Sequence, residues 1–446
     1  MGAWESTPEA IARLGVSTMP LSELNRRRRA YIDAQAPWVN GDGTVVPSCY
    51  VKMRALIHTM GYGAGRGLND EMFRPLQRLF TEQEAEAYLQ LPWGVEFTVE
   101  EFFEKSQAEG ADRSREECAA LCERFSAAGF LPFHRRARGL TYSVPGFAEG
   151  VNTYAYNDTY FENPRDCDWP CLGEGLAADH ARGGTPAYSV IPLGREIMAE
   201  GSDLLAFDDA EALLRKSPYI AVQPCSCRYE QLVYECQRLG ESFPTFADFA
   251  RGDLTEFQDR NGDRIETCLA LGDDAEYLVS LGLARRIDAD EALAIFKRAR
   301  DDGAIIHGLY GQNHAWLCFC NPKVCGILAQ WEAGARDLGG WDALADLPAF
   351  AHRSNYELVF HRAQCRRCDL CAARCPTKAI RRDGDGLPVL ANDHLCHRCG
   401  QCALICPAKA RALTPRREED RLVPPRDMLE DYNQKAAYRF EHGLID

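Results

Sequence analysis

The sequence predicts a multidomain protein of mixed α/β and α+β class. It has a helical, winged-helix-like N-terminal part, an α/β middle domain, and a small C-terminal domain built on an internal repeat. Three observations carry this. At 446 residues the chain exceeds what one hydrophobic core serves. Between about 185 and 330, apolar runs of strand length alternate with amphipathic helical segments. Near the C-terminus one cysteine pattern occurs twice, 31 residues apart. The expected division is a helical region 1–90, a winged-helix-like region 91–150, a cysteine-containing middle domain 151–340, a repeat domain 341–415 and an extension 416–446.

Residues 1–90 read as helical and irregular, with a basic run from Arg26 to Arg29. The stretch MRALIHTMGYGAGRGLND (53–70) is rich in glycine but is read as a turn. Counted from Gly61 or Gly63, the sixth place of a dinucleotide fingerprint holds Arg66 or Leu68. From 97 to 144 the order is helix, helix, hairpin. Ser114 with Glu117 makes a capping box for the second helix, Gly129 ends it, and LPFH and LTYSV flank the turn RRARG. That helix mixes Arg115 and Arg124 with Glu116, Glu117 and Glu123, and only the hairpin from His134 to Arg138 is cationic. With a formal net charge of -15, this disfavours nucleic acid as a partner.

The middle domain opens on DCDWPC, whose Cys167 and Cys171 are a weak metal signal. AYSVIPL (187–193) and YIAVQ (219–223) read as strands, and the second runs straight into PCSCR. Asp288 caps a helix with apolar Ala292, Leu293, Ile295 and Phe296 on one face and Gly303 as its stop; the strand AIIH (304–307) follows. Cys225 and Cys227 follow one strand, Cys318 and Cys320 follow another extended run, Cys325 comes just after, and Cys268 is expected at the start of a helix. In an open α/β sheet, sites form beyond the carboxyl ends of strands, so these six thiols are expected to converge. They would hold a third iron-sulfur cluster or another thiophilic metal; redox-active thiols and ordinary packing of buried cysteine are the alternatives. His307, His314 and Arg228 flank the region, and a histidine there could supply a proton.

Twenty cysteines without a basic and apolar leader argue for metal or redox chemistry in a reducing compartment, and a cytoplasmic location is expected. No apolar stretch is long enough to insert in a membrane. The repeat is Cys365-x2-Cys368-x2-Cys371-x3-Cys375-Pro376, then Cys396-x2-Cys399-x2-Cys402-x3-Cys406-Pro407. In such a dicluster run the fourth cysteine ligates the other cluster. Cys365, Cys368, Cys371 and Cys406 are therefore assigned to one [4Fe-4S] cluster, and Cys396, Cys399, Cys402 and Cys375 to the second. A zinc ribbon takes four ligands in two pairs, not eight in two runs. Arg366, Arg367, Arg374 and Arg398 lie among the ligands and would favour the reduced clusters or an acidic partner.

With PTKAI and ICPAKA after its two runs, segment 365–407 resembles the bacterial-type ferredoxin domain. The longer stretch from about 95 to 410 resembles a poorly characterised family of cytoplasmic 4Fe-4S proteins from anaerobes. PCSCR (224–228), TCLALG (267–272), GLARRIDADEALAIF (282–296), His307, and LCFC with Cys325-Gly326-Ile327-Leu328 carry that likeness. The resemblance implies electron transfer or reductive chemistry and leaves the substrate open. The expectation is an iron-sulfur electron-transfer protein or oxidoreductase component. Low-potential electrons would pass from the two clusters to the middle cysteines, then to a substrate, a flavin, or a redox partner or flavoprotein subunit. A complete flavin- or corrinoid-dependent reductase is one alternative, and a redox-sensing transcription regulator is another.

Overall fold

A computed structural model describes residues 17, 19–61, 73–147, 150, 188–309, 311–326, 328, 354–393 and 395–445. Most of the glycine-rich stretch after Gly61, and Cys167 with Cys171, lie outside the described residues. The N-terminal part contains α1 (Leu21–Asp33) and α2 (Ser48–His58), the latter buried almost throughout. Helices α3 (Val99–Ala108) and α4 (Arg115–Ala127) precede the hairpin of β1 (Phe133–Arg136) and β2 (Gly139–Tyr142). The expected capping box is present: Ser114 Oγ accepts from the Glu117 amide at 3.2 Å, and the Ser114 amide donates to Glu117 at 2.7 Å.

The cationic hairpin is neutralised from within. Arg136 donates to Glu96 at 2.6 Å and to Asp273 at 2.6 Å, Arg138 donates to Glu101 at 2.9 Å, and Arg135 pairs with Glu276. Each partner must be given up before such an arginine can neutralise a phosphate. The hairpin is thus tied to the middle domain through Asp273 and Glu276.

The middle domain is one six-stranded sheet. Its strands are β3 (Tyr188–Ile191), β4 (Ile220–Pro224), β5 (Glu266–Leu271), β6 (Arg285–Ile287), β7 (Ile305–Leu309) and β8 (Trp316–Cys320). They lie in the order β3-β7-β8-β5-β4-β6, antiparallel at every pairing. Helix α5 (Ser226–Leu239) follows β4, α6 (Gly272–Ser280) follows β5, and α7 (Ala289–Asp302) precedes β7. The open α/β sheet expected from strand-helix alternation is thus corrected, because alternation fixes the order of elements but not strand direction. Alternate residues face opposite sides. Leu269, Leu317, Phe319 and Ile306 pack with Leu293 and Phe296 of α7, whereas Cys268, Ala270, Trp316 and Leu309 belong to the core shared with the N-terminal part.

The C-terminal repeat domain pairs β9 (Tyr356–Phe360) with a final strand, and the two short strands β10 (Ile380–Arg382) and β11 (Pro388–Leu390) with each other. Its two cysteine loops lead into short helices, α8 (Leu370–Arg374) and α9 (Gln401–Leu404), and β12 (Arg411–Pro415) closes it against β9. Helix α10 (Met428–Glu441) then returns to the N-terminal helices. Ala436 and Ala437 pack on Leu24, and the buried Arg439 donates to the His58 carbonyl at 2.7 Å. The expected C-terminal extension is therefore packed into the N-terminal core, as its buried Asp431–Lys435 ion pair also requires.

Asp208 lies at the seam between the middle and repeat domains, beside the hydroxyl of Tyr356. It is 2% exposed, and burial pushes its carboxyl up to about 8 despite the hydrogen bond from Tyr356. Between the ordinary value of 3.8 and about 8 the folded chain keeps a proton there that the unfolded chain has lost. Stability should therefore fall as pH rises through that window, by up to about 1.4 kcal/mol per unit. Anaerobic melting at pH 5 and pH 8 should show a smaller drop for Asp208→Asn than for the unaltered protein; an equal drop would contradict the assignment.

Candidate metal centres

The repeat of the sequence is also a repeat of the backbone. Arg367 and Arg398, Asp369 and Gly400, and Lys378 and Lys409 all take positive φ, each pair separated by the same 31 residues. Such left-handed residues turn the chain sharply, so that the three thiols of each loop point inward. Backbone amides face the sulfurs: Arg367 N donates to Cys365 Sγ at 3.4 Å, and Ala410 N to Cys406 Sγ at 3.3 Å.

Each loop borrows its fourth cysteine from the other. Cys365, Cys368 and Cys371 line one cavity with Cys406, walled by Phe360, Pro388 and Pro407. Cys396, Cys399 and Cys402 line a second with Cys375, walled by Ile305, Leu358 and Ile380. These are the two groups that the spacing assigned. Four inward thiols, apolar walls and amides aimed at sulfur are what a cubane needs, so the residues fit two [4Fe-4S] groups.

The two cavities differ in exposure. Cys368 is exposed, whereas Cys375, Cys399 and Cys402 are buried. Burial pushes the Cys399 thiol up to about 12 and raises that of Cys402 as well, so binding a metal there must displace protons. Arg374 and Arg398, expected as free charges near the clusters, are engaged. Arg374 donates to Gln401 at 2.8 Å and to the Arg300 carbonyl at 3.0 Å, and Arg398 donates to the Cys396 carbonyl at 2.7 Å. They brace the loops.

Gly400 shows how the second loop docks. At φ 92° it takes a left-handed turn, and an added Cβ would overlap the side chain of Ile197. Its counterpart Asp369 carries a side chain at φ 60°. Gly400→Asp, which copies the first loop into the second, should cost more than about 1 kcal/mol and loosen the loop from Ile197. Loss of iron from this variant, measured against Asp369→Gly, checks the point; equal retention would contradict it.

The six middle cysteines converge, although not from the elements expected. Cys268 lies within β5 rather than at a helix start, and Cys318 and Cys320 lie within β8 rather than after it. In the order β8-β5-β4 the outer two strands run together and the central one opposes them. The end of β8, the start of β5 and the end of β4 therefore share one edge of the sheet. Cys225 caps α5 just past β4, and Cys227 lies in its first turn. The Asn321–Cys325 turn, closed by a 2.9 Å bond from the Cys325 amide to the Asn321 carbonyl, folds Cys325 back. Cys227 contacts both Cys225 and Cys325, and Cys325 contacts Cys320, giving an unbroken line of four thiols. Burial lifts the Cys320 thiol to about 12 and raises that of Cys325 too. Across from Cys318, Cys268 lies at 3.9 Å, sulfur to sulfur.

Arg228 holds this edge together. Its buried guanidinium bonds the carbonyls of Arg264 and, at 3.1 Å, of Phe319, joining the entry to β5 with β8. His314 is spent on the backbone: its ring nitrogens meet the carbonyls of Leu309 at 2.5 Å and Phe207 at 2.8 Å. Burial holds His307 down to about 3, so it stays neutral. His307 is therefore not placed as a proton donor at neutral pH. Among the described residues, no three histidine, cysteine or acidic side chains surround a single-ion centre, and that holds for the eight ferredoxin-like cysteines as for the six here.

His397 was not singled out by the sequence. It sits inside the second Cys-x2-Cys loop, is 3% exposed, and meets His307 edge to face with ring centroids 5.9 Å apart. His307 pairs in register with Cys318, and Ile305, which walls the second cavity, pairs with Cys320. A single cross-strand pair, Ile305–Cys320, thus links the wall of the second cavity to the middle thiols.

Residues 357–407 match the family model described as a 4Fe-4S dicluster domain. The match gives the C-terminal part an iron-sulfur electron-transfer role, and it covers a small share of the chain. No curated protein and no solved structure matches the sequence. Among the described residues, no helix is long and apolar enough to cross a membrane.

Proposed function

We propose that this chain is an oxidoreductase component in which the dicluster domain feeds electrons to a third cysteine-ligated site in the middle sheet. Cys365, Cys368, Cys371 and Cys406 hold the outer cluster, Cys396, Cys399, Cys402 and Cys375 the inner one. Cys225, Cys227, Cys320 and Cys325 hold the third. When bound, each cluster would exchange one electron at a time. The chain's own residues set the direction: exposed Cys368 marks the side open to a redox partner, and Ile305, His397 and His307 pack out water between the inner cavity and β8. The observation that carries this reading is the register of β7 with β8, which sets a wall of the inner cavity directly across from Cys320.

Stopped-flow reduction by a low-potential one-electron donor tests it. In Cys399→Ser, reduction of the middle site should slow tenfold or more, while the outer cluster should still be reduced. An unchanged rate at the middle site would mean that electrons reach it by another route.

A further inference from the structure

The six middle cysteines separate into two sets. Cys225, Cys227, Cys325 and Cys320 form the line of thiol contacts at the strand ends. Cys268 and Cys318 stand further into the sheet with their sulfurs 3.9 Å apart. The paired register of these strands runs to Leu317–Leu269, and continuing it by one residue sets Cys318 across from Cys268. The Leu271 amide donates to the carbonyl of its opposite residue, Ala315, at 2.8 Å. Hydrogen-bonded and non-hydrogen-bonded pairs alternate along an antiparallel ladder. Counting from Leu271–Ala315, the pair Cys268–Cys318 is non-hydrogen-bonded, the kind with Cα atoms about 4.5 Å apart and the closest side chains. A disulfide accepts Cα separations down to about 4.4 Å, so such a pair lies within its reach.

A second observation comes from the next strand. Gln223 pairs with Cys268 in register, so its side chain shares the same row and face. It is 1% exposed, and among the described residues neither its amide nitrogen nor its amide oxygen has a hydrogen-bond partner. An amide N–H beside a thiol is a ready donor to a thiolate, the form that attacks and departs in disulfide exchange.

We infer that Cys268 and Cys318 are a redox-active dithiol–disulfide couple, the two-electron terminus of the path, and that its substrate is a disulfide. The inference rests on the dicluster domain as the source of electrons. In one half-reaction the Cys268–Cys318 bond breaks. Two electrons arrive singly from a low-potential donor acting through that domain, two protons come from water, and two thiols result. In the other, the Cys318 thiolate, more exposed than Cys268, attacks the substrate disulfide and releases one substrate thiol. Cys268 then attacks the Cys318 sulfur of the mixed disulfide, releases the second substrate thiol, and restores the internal bond. Gln223 sits where it can hold the Cys268 sulfur during that exchange.

The test uses the full chain, purified anaerobically and fully reduced, then exposed to oxidised glutathione as a small disulfide. It is next denatured in an alkylating agent and mapped by peptide mass. The peptides of Cys268 and Cys318 should be recovered joined, and dithionite treatment beforehand should return both as alkylated thiols. Separate alkylation of both after glutathione disulfide would overturn the inference, and this map needs no variant to fold. Iron analysis of Cys268→Ser combined with Cys318→Ser gives the second arm: iron equal to the unaltered protein supports the couple. A fall of about four irons would make the pair cluster ligands and overturn it. If the unaltered protein holds only about eight irons yet still forms the bridge, the third cluster fails and the couple is supported.

Discussion

Replacing Cys320 and Cys325 together by serine is expected to remove about four irons per chain and leave the iron-sulfur signal of the dicluster domain intact. The two residues reach the site by different routes. Cys320 ends β8, and Cys325 returns through the turn that begins at Asn321. Cys325 touches both Cys227 and Cys320, so its loss breaks the line of thiols in the middle. Serine keeps the volume but is a far poorer ligand for iron than a thiolate. Neither residue lines either ferredoxin-type cavity, so the eight cysteines there should be unaffected. Iron and sulfide analysis with spectroscopy of the reduced protein checks both halves. Retention of all iron would return these thiols to ordinary packing.

Cys375→Ser should damage the inner cluster although Cys375 follows the first loop in sequence, and Cys406→Ser should damage the outer one. The reason is that each cavity takes its fourth cysteine from the other loop. The variants are told apart by solvent access, because the outer cavity includes exposed Cys368 and the inner one is buried against Ile305 and His397. In Cys375→Ser, the iron remaining in the dicluster domain should be stripped quickly by a chelator; in Cys406→Ser it should be held much longer. The reverse order, fast stripping in Cys406→Ser and slow stripping in Cys375→Ser, would mean that each run ligates its own cluster.

The ferredoxin-like part was legible because its information is local: four cysteines per loop at fixed spacing, and a proline after each run. The middle thiols were legible as groups but not as geometry. A Cys-x-Cys pair inside a strand places both thiols on one face, and that period of two in WLCFC could have located Cys318 and Cys320 within β8. Cys268 was misplaced because TCLALG is followed at once by a helix. Strand direction was beyond reach, since nothing in alternating strands and helices distinguishes a crossover from a return. The contact of His397 with His307, the burial of Gln223 beside Cys268, and the return of α10 to α1 all arise between segments distant in sequence. No local pattern announces such contacts. The hairpin arginines taught the converse, because their charge was legible but the acidic partners on α6 that cancel it were not.

The iron and acid-labile sulfide content of the anaerobically purified full chain tests most directly whether the middle domain holds a redox site. About twelve irons and a matching number of sulfides per chain are predicted, four for each of three cysteine sets. About eight, with no other metal bound, would contradict the third site and confine the iron-sulfur chemistry to residues 357–407.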